Sequence, residues 1–241
     1  MQIRTFLKES FIDYPNKISS VVFVPGCNYK CPACHVKHLL EKGENIDERE
    51  LFNYLNSRKG WIEGIVISGG EPTSQFGLVD FTKKCKDLGL FVKLDTNGTG
   101  WATLGELLKE KTVDYVAMDI KGPPNLYRKI VGKDIDLRDD VEKGIMTVQN
   151  FPDYEFRTTV VPIIEDDSAI RWITADEMKK MAEWIKGFTW RKEPRYYLQH
   201  FVPRKGELLD SRLEDFPQTP EELMQESLKA VKEILPNCRI R

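Results

Sequence analysis

No run of roughly 18 apolar residues, the length a membrane helix needs, occurs in the sequence, and the opening MQIRTFLKES has no apolar stretch of the kind that forms a secretory leader. The expectation is a cytoplasmic protein with no membrane partner. An excess of one charge is missing too: 36 Lys and Arg stand against 38 Asp and Glu, a formal net charge of −2, so no global field favours nucleic acid. Five cysteines are an odd number, and three of them fall within eight positions, which argues against a disulfide scaffold and for a metal. Internal repeats, low-complexity tracts and linker-like runs are also lacking, so residues 1–241 are expected to form a single domain.

What the sequence does have is alternation. Short β-branched or aromatic runs at 18–24, 64–68, 90–96, 113–120, 154–161 and 195–201 read as strands. Amphipathic stretches at 47–55, 76–88, 103–109, 137–148, 174–186 and 221–235 read as helices. Asp47 and Thr174 are placed to cap two of them, and Glu177 completes a capping box with Thr174. Strand and helix alternating about six times predict an α/β fold with a parallel sheet and right-handed crossovers. In such sheets the chemistry sits beyond the carboxyl ends of the strands, so each site residue should fall at or just after a strand end.

Directly after the first of these strands comes Pro25-Gly26-Cys27-Asn28-Tyr29-Lys30-Cys31-Pro32-Ala33-Cys34-His35. A zinc reading of this C-x3-C-x2-C spacing needs a fourth ligand, from His35, His38, Cys85 or Cys238. A [4Fe–4S] reading needs only the three thiolates Cys27, Cys31 and Cys34, which leave one iron open for a substrate to chelate. An electron-transfer ferredoxin would fill that corner with a fourth cysteine. Cys85, on a predicted helix, and Cys238, near the end, read as small buried hydrophobes.

This three-cysteine loop after the first strand resembles the signature of the radical S-adenosylmethionine (SAM) superfamily, which implies a partial (β/α)6, TIM-like barrel holding a [4Fe–4S] cluster and SAM. Several further segments agree. Gly69-Gly70-Glu71-Pro72, at the end of the second strand, resembles the segment that meets the SAM amino group; glycines permit close backbone approach to a ligand, and Glu71 offers negative charge to an ammonium. Tyr29, between the first two cysteines, departs little from the usual pattern and is carried over as a cofactor contact.

Asp95-Thr96-Asn97-Gly98 and Met118-Asp119-Ile120-Lys121 end the third and fourth strands. The pair resembles the glycyl-radical-enzyme activating enzymes, where it implies a site for Na+ or K+ built from Asp95, Thr96, Asp119 and the Met118 carbonyl, with Lys121 balancing the carboxylates. The same resemblance assigns Arg157, on the fifth strand, to the SAM carboxylate and His200, on the sixth, to its nucleoside. Asp13-Tyr14-Pro15-Asn16-Lys17 is similar to a D-x-P-G-K segment, with Asn16 in place of glycine; Asn tolerates a left-handed backbone, and Asp13 would touch the partner's glycyl loop on the rim of the barrel.

The similarity runs from Asp13 to His200 and is strongest to the activators of anaerobic ribonucleotide reductase. It implies reductive cleavage of SAM to a 5′-deoxyadenosyl radical, a glycyl-radical enzyme as partner, and a flavodoxin or ferredoxin-type electron donor. A radical SAM enzyme acting on a small molecule or peptide, in the manner of a deazapurine synthase, is the alternative, followed by a non-catalytic iron–sulfur or zinc protein.

Overall fold

The computed structural model of the chain describes residues 1–41, 43–190 and 193–241. A strand not anticipated from the sequence, β1 (Thr5–Ser10), precedes the six expected ones: β2 (Ser19–Val24), β3 (Gly64–Gly69), β4 (Phe91–Thr96), β5 (Tyr115–Asp119), β6 (Asp153–Val160) and β9 (Arg195–His200). Between the last two, β7 (Pro162–Ile164) and β8 (Ile170–Trp172) pair as a separate antiparallel ribbon, and β10 (Cys238–Ile240) comes last. The main sheet has the order β1-β2-β3-β4-β5-β6-β9-β10. Only β1 is antiparallel to its neighbour.

The crossovers carry α1 (Lys37–Leu40), α2 (Glu48–Ser57), α3 (Leu78–Asp87), α4 (Trp101–Glu110), α5 (Tyr127–Val131), α6 (Lys143–Val148), α7 (Ala175–Gly187) and α8 (Glu221–Lys232). The helix expected at 76–88 starts late because Gly77 takes φ +80° as its N-cap. The one expected at 137–148 opens with a wider turn at Arg138–Glu142 before α6. Among the described residues no helix is long and apolar enough to cross a membrane.

Both expected caps form. The Asp47 side chain accepts from Arg49 N, and Thr174 and Glu177 make a reciprocal capping box at the head of α7. Burial raises the Glu177 carboxyl, but Arg171 and the cap donors outweigh it and hold the group below its ordinary value. A depressed folded value means that this stabilisation is complete above the ordinary carboxylate range and disappears as pH falls through the lower folded value. Thr174→Ala is expected to cost about 1 kcal/mol, read as a lower urea midpoint, and the deficit of Glu177→Gln against wild type should shrink on acidification. A deficit that grows as pH falls would contradict the assignment.

Alternation along each strand sorts residues onto two faces. Val22, Val24, Ile65, Ile67, Val92, Leu94, Val116, Met118 and Phe156 join the large core beneath the helices. Their in-between neighbours Val21, Val66, Tyr115 and Ala117 form a small second cluster with Tyr14. Contacts that skip a strand, Arg157 on β6 with Asp95 on β4 and Arg241 with Glu155 on β6, require this second face to be concave. The result is an open, partial α/β barrel whose inner face carries charge. Glu155 is 0 % exposed there, accepting two bonds from Arg241 and one from the Tyr115 hydroxyl.

Tyr14 stops the amino-terminal end of that barrel: its ring meets Tyr115, the first residue of β5, and lies against Gly64, the first of β3. Asn16 does take the left-handed turn, at φ +61°. Asp13, expected on the rim beside the chemistry, lies instead at the starts of the strands, where its Oδ2 accepts from Ser10 Oγ at 2.5 Å. The six residues of β2 put roughly 20 Å between it and the cysteine loop. The reason is connectivity, since a segment leading into a parallel strand emerges at the end opposite the loop that follows it.

Candidate active site

The carboxyl ends of β2 to β6 converge on one cavity of about 290 Å³, near the lower end of the ~300–1,000 Å³ typical of ligand pockets. Cys27, Tyr29, Cys31 and Cys34 line it from the loop after β2, Ser68 to Glu71 from β3, Asp95 to Asn97 from β4, Asp119 and Lys121 from β5, and Arg157 and Thr159 from β6. The cysteine loop is pinned from four sides. Gly26 N donates to the Leu39 carbonyl, Lys30 N to Val131, and the carbonyls of Pro32 and Cys34 accept from Asp210 and Leu209. An amide ladder missed by sequence reasoning completes the hold: Asn97 Nδ2 donates to Asn28 Oδ1 at 2.8 Å, and Asn28 Nδ2 to Thr99 Oγ1 at 2.7 Å.

Gly69 and Gly70 are required by the backbone beside them. Gly69 sits at φ +112°, and a Cβ on Gly70 would come within 1.7 Å of the Gly26 carbonyl. Gly70 N and Glu71 N donate to Val24 and Gly26, so the end of β3 nests directly on the root of the cysteine loop. Glu71 differs from the expectation of a free charge facing an ammonium. Its Oε1 accepts from Thr73 N, Thr73 Oγ1 and Thr96 Oγ1, and its Oε2 from Asn97 N at 2.8 Å. The side chain is 1 % exposed and braces β3 against β4.

Arg157 was expected to need an anion, and its partners are protein carboxylates. Its Nε donates to Asp119 Oδ1 at 2.7 Å, and its Nη1 stands 3.5 Å from Asp95 Oδ1. Lys121 Nζ reaches Asp119 Oδ2 at 3.1 Å, and the unforeseen Lys93 donates to Asp95 Oδ1. Burial raises the Asp119 carboxyl, yet Arg157 and then Lys121 overcome it and hold the group at about 2. Burial also pushes the Cys31 thiol up to about 11, with Lys121 pulling the other way.

Two strand residues stand outside this row of charges because side chains alternate across a strand. Thr96 lines the cavity, but its hydroxyl is given to Glu71. His200 shares its face with Leu198 and does not line the cavity; its Nδ1 lies 3.4 Å from the Thr219 carbonyl and its Nε2 3.7 Å from Glu221. Met118 is in register with Thr96 and Phe156, within the sheet ladder. Among the described residues no three His, Cys, Asp or Glu side chains gather closely enough for a single ion. With Asp95 and Asp119 already held by protein cations and the Thr96 hydroxyl given to Glu71, these residues do not fit a free Na+ or K+.

A family model of the radical SAM superfamily matches residues 21–174, the span that runs from β2 through the head of α7. The chain belongs to the radical SAM superfamily. Over 239 residues it is 33 % identical to a Methanocaldococcus jannaschii protein named for the glycyl-radical enzyme activating enzymes, covering 96 % of this chain and 92 % of that one. It is 28 % identical over 245 residues to the pyruvate formate-lyase-activating enzyme of Clostridium pasteurianum, covering 97 % and 98 %. Within the superfamily it is thus a member of the activating-enzyme family. Among solved structures, Streptococcus suis SuiB bound to S-adenosylmethionine matches with a TM-score of 0.64 at 14 % identity over 92 % of this chain. Methylornithine synthase matches with 0.58 at 15 % over 91 %. At such identities these two speak for the fold alone, and the chain spans about half the length of SuiB.

Radical SAM membership implies a [4Fe–4S] cluster and SAM, and the cavity fits both. Three thiols from one pinned loop face it, and the Tyr29 hydroxyl on its wall is buried without a hydrogen-bond partner. Cys85 and Cys238 are fully buried elsewhere.

Proposed function

We propose that this radical SAM enzyme installs a glycyl radical on anaerobic ribonucleotide reductase, with Cys27, Cys31 and Cys34 holding the cluster and the ends of β3 to β6 holding SAM. The reading is carried by the convergence of three thiols and a strand-end network of charges on one cavity. When bound, the cluster and SAM supply a one-electron reduction that breaks a sulfonium–carbon bond. The chain contributes position and charge. The pinned loop fixes the three thiolates, Lys121 offsets negative charge beside Cys31, and Lys93, Lys121 and Arg157 together outnumber Asp95 and Asp119 by one positive charge, which suits a ligand carboxylate. The sheet stops at β1 on one flank and β10 on the other, so a partner's loop can complete the wall. A flavodoxin or ferredoxin-type protein would deliver the electron.

The test is anaerobic reconstitution with iron and sulfide, then reduction in the presence of SAM and the ribonucleotide reductase of the same source. A glycyl-type doublet in the electron paramagnetic resonance spectrum is expected. No doublet, together with SAM cleavage accelerated by a small molecule or a peptide, would replace this reading.

A further inference from the structure

The row of charges at the strand ends holds one more cation than Asp95 and Asp119 need, and the extra one lies behind the cavity lining, inside the barrel. Lys93 is 3 % exposed on the concave face of β4, two residues before Asp95. Its ammonium donates to Asp95 Oδ1, while Asp95 Oδ2 accepts from Ser68 Oγ at 3.1 Å. Arg157 bridges Asp95 to Asp119, and Lys121 closes the row on Asp119. A small hard cation would seek these same carboxylate oxygens. An enclosed ammonium persists only where it is paired, and a Lys ammonium is a compact point charge that can stand where such an ion would.

We infer that the Lys93 ammonium is a built-in counter-ion that does the work of a dissociable monovalent cation at this site, leaving the enzyme indifferent to sodium and potassium. Being covalently attached, it needs no capture from solution and keeps the row at a fixed excess of one positive charge. Removing it would leave Arg157 and Lys121 against Asp95 and Asp119, a neutral row with a gap beside Asp95 that a free ion could fill. The part of the inference that concerns SAM rests on the function proposed above; the part that concerns the ion does not.

Thermal melting is measured in chloride salts of potassium, sodium and choline at equal ionic strength, for wild type, Lys93→Met and Lys93→Gln. The wild-type midpoint should be the same in all three salts, whereas both variants should melt higher in potassium or sodium than in choline, increasingly so with concentration, because an ion that binds only the folded state raises the midpoint by mass action. Lys93→Gln keeps a hydrogen-bond donor and most of the length, so a merely structural role predicts that it behaves as wild type, and it stands in if Lys93→Met does not fold. In parallel, SAM affinity should be salt-indifferent in wild type and fall about tenfold or more for the variants in choline, with partial recovery in potassium or sodium. A wild-type midpoint or affinity that depends on potassium or sodium overturns the inference, as do variants indifferent to the salt. A wild type that binds no SAM in any salt refutes the proposed function while the melting comparison still decides the role of Lys93.

Discussion

Replacing Cys27, Cys31 or Cys34 with alanine is expected to bring bound iron after anaerobic reconstitution close to background and to abolish SAM cleavage, while Cys85→Ala and Cys238→Ala keep both. The first three thiols share one cavity and one pinned loop, and a cluster ligand must be a thiolate. Cys85 is on the buried face of α3 and Cys238 opens β10, both without exposure, and burial pushes the Cys238 thiol up to about 12. Neither can present a thiolate to the cavity. Their substitution leaves only a small void, costing on the order of 1 kcal/mol. Iron and sulfide analysis together with the visible absorption of the cluster decides the matter, and loss of iron in Cys85→Ala would redraw the ligand set.

Arg157→Met should be the most damaging single change outside the cysteines. Its guanidinium ties Asp95 on β4 to Asp119 on β5 from the neighbouring β6, and its removal leaves Asp95 only Lys93 and Asp119 only Lys121 for a cation. Losing charge-assisted hydrogen bonds at these partly buried carboxylates costs about 1.5–3 kcal/mol, which for a chain of this size lowers the melting midpoint by roughly 6 °C. SAM affinity should fall in the same variant, because the row loses the positive excess that a carboxylate would meet. A midpoint within about 2 °C of wild type would show that Lys93 and Lys121 hold the row without it.

The parts of this fold that were legible in the sequence are those where local pattern and tertiary role coincide. Continuous β-branched runs such as Ser19–Val24 must be buried on both faces, and that marks central parallel strands. The cysteine loop and Gly69-Gly70-Glu71 were readable because their residue types suit few other purposes. β1 was missed because TFLKES, an edge strand with one wet side, carries charges within its alternation, whereas the strand-like pattern at 237–241 does contain β10.

The errors in the site share one physical cause. Thr96 and His200 stand at strand ends, as the topology demands, but alternation sets both apart from the charged row: the Thr96 hydroxyl, at the cavity wall, is given to Glu71, and His200 does not line the cavity. Counting forward in twos from Leu94 and Leu198 would have shown it. The same count reveals Lys93 as a charge on the inner face beside Asp95. Glu71 could not be read this way, because three of its four donors, on Thr73 and Asn97, lie beyond the strands, where no period-two pattern describes the geometry.

Strand order in the sheet follows chain order from β1 to β6, and this has a consequence for biosynthesis. A chain leaving the ribosome at about 5–20 residues per second can add each strand to one already in place, so the sheet can grow in one direction as it is made. Cys27, Cys31 and Cys34 belong to the second strand's loop, whereas Arg157 and Thr159, on the far wall of their cavity, arrive with β6. Until then the thiols face solvent on a half-built scaffold, open to oxidation and to whatever metal is at hand. The nascent chain therefore depends on a reducing, metal-controlled surrounding well before the finished enzyme has anything to catalyse.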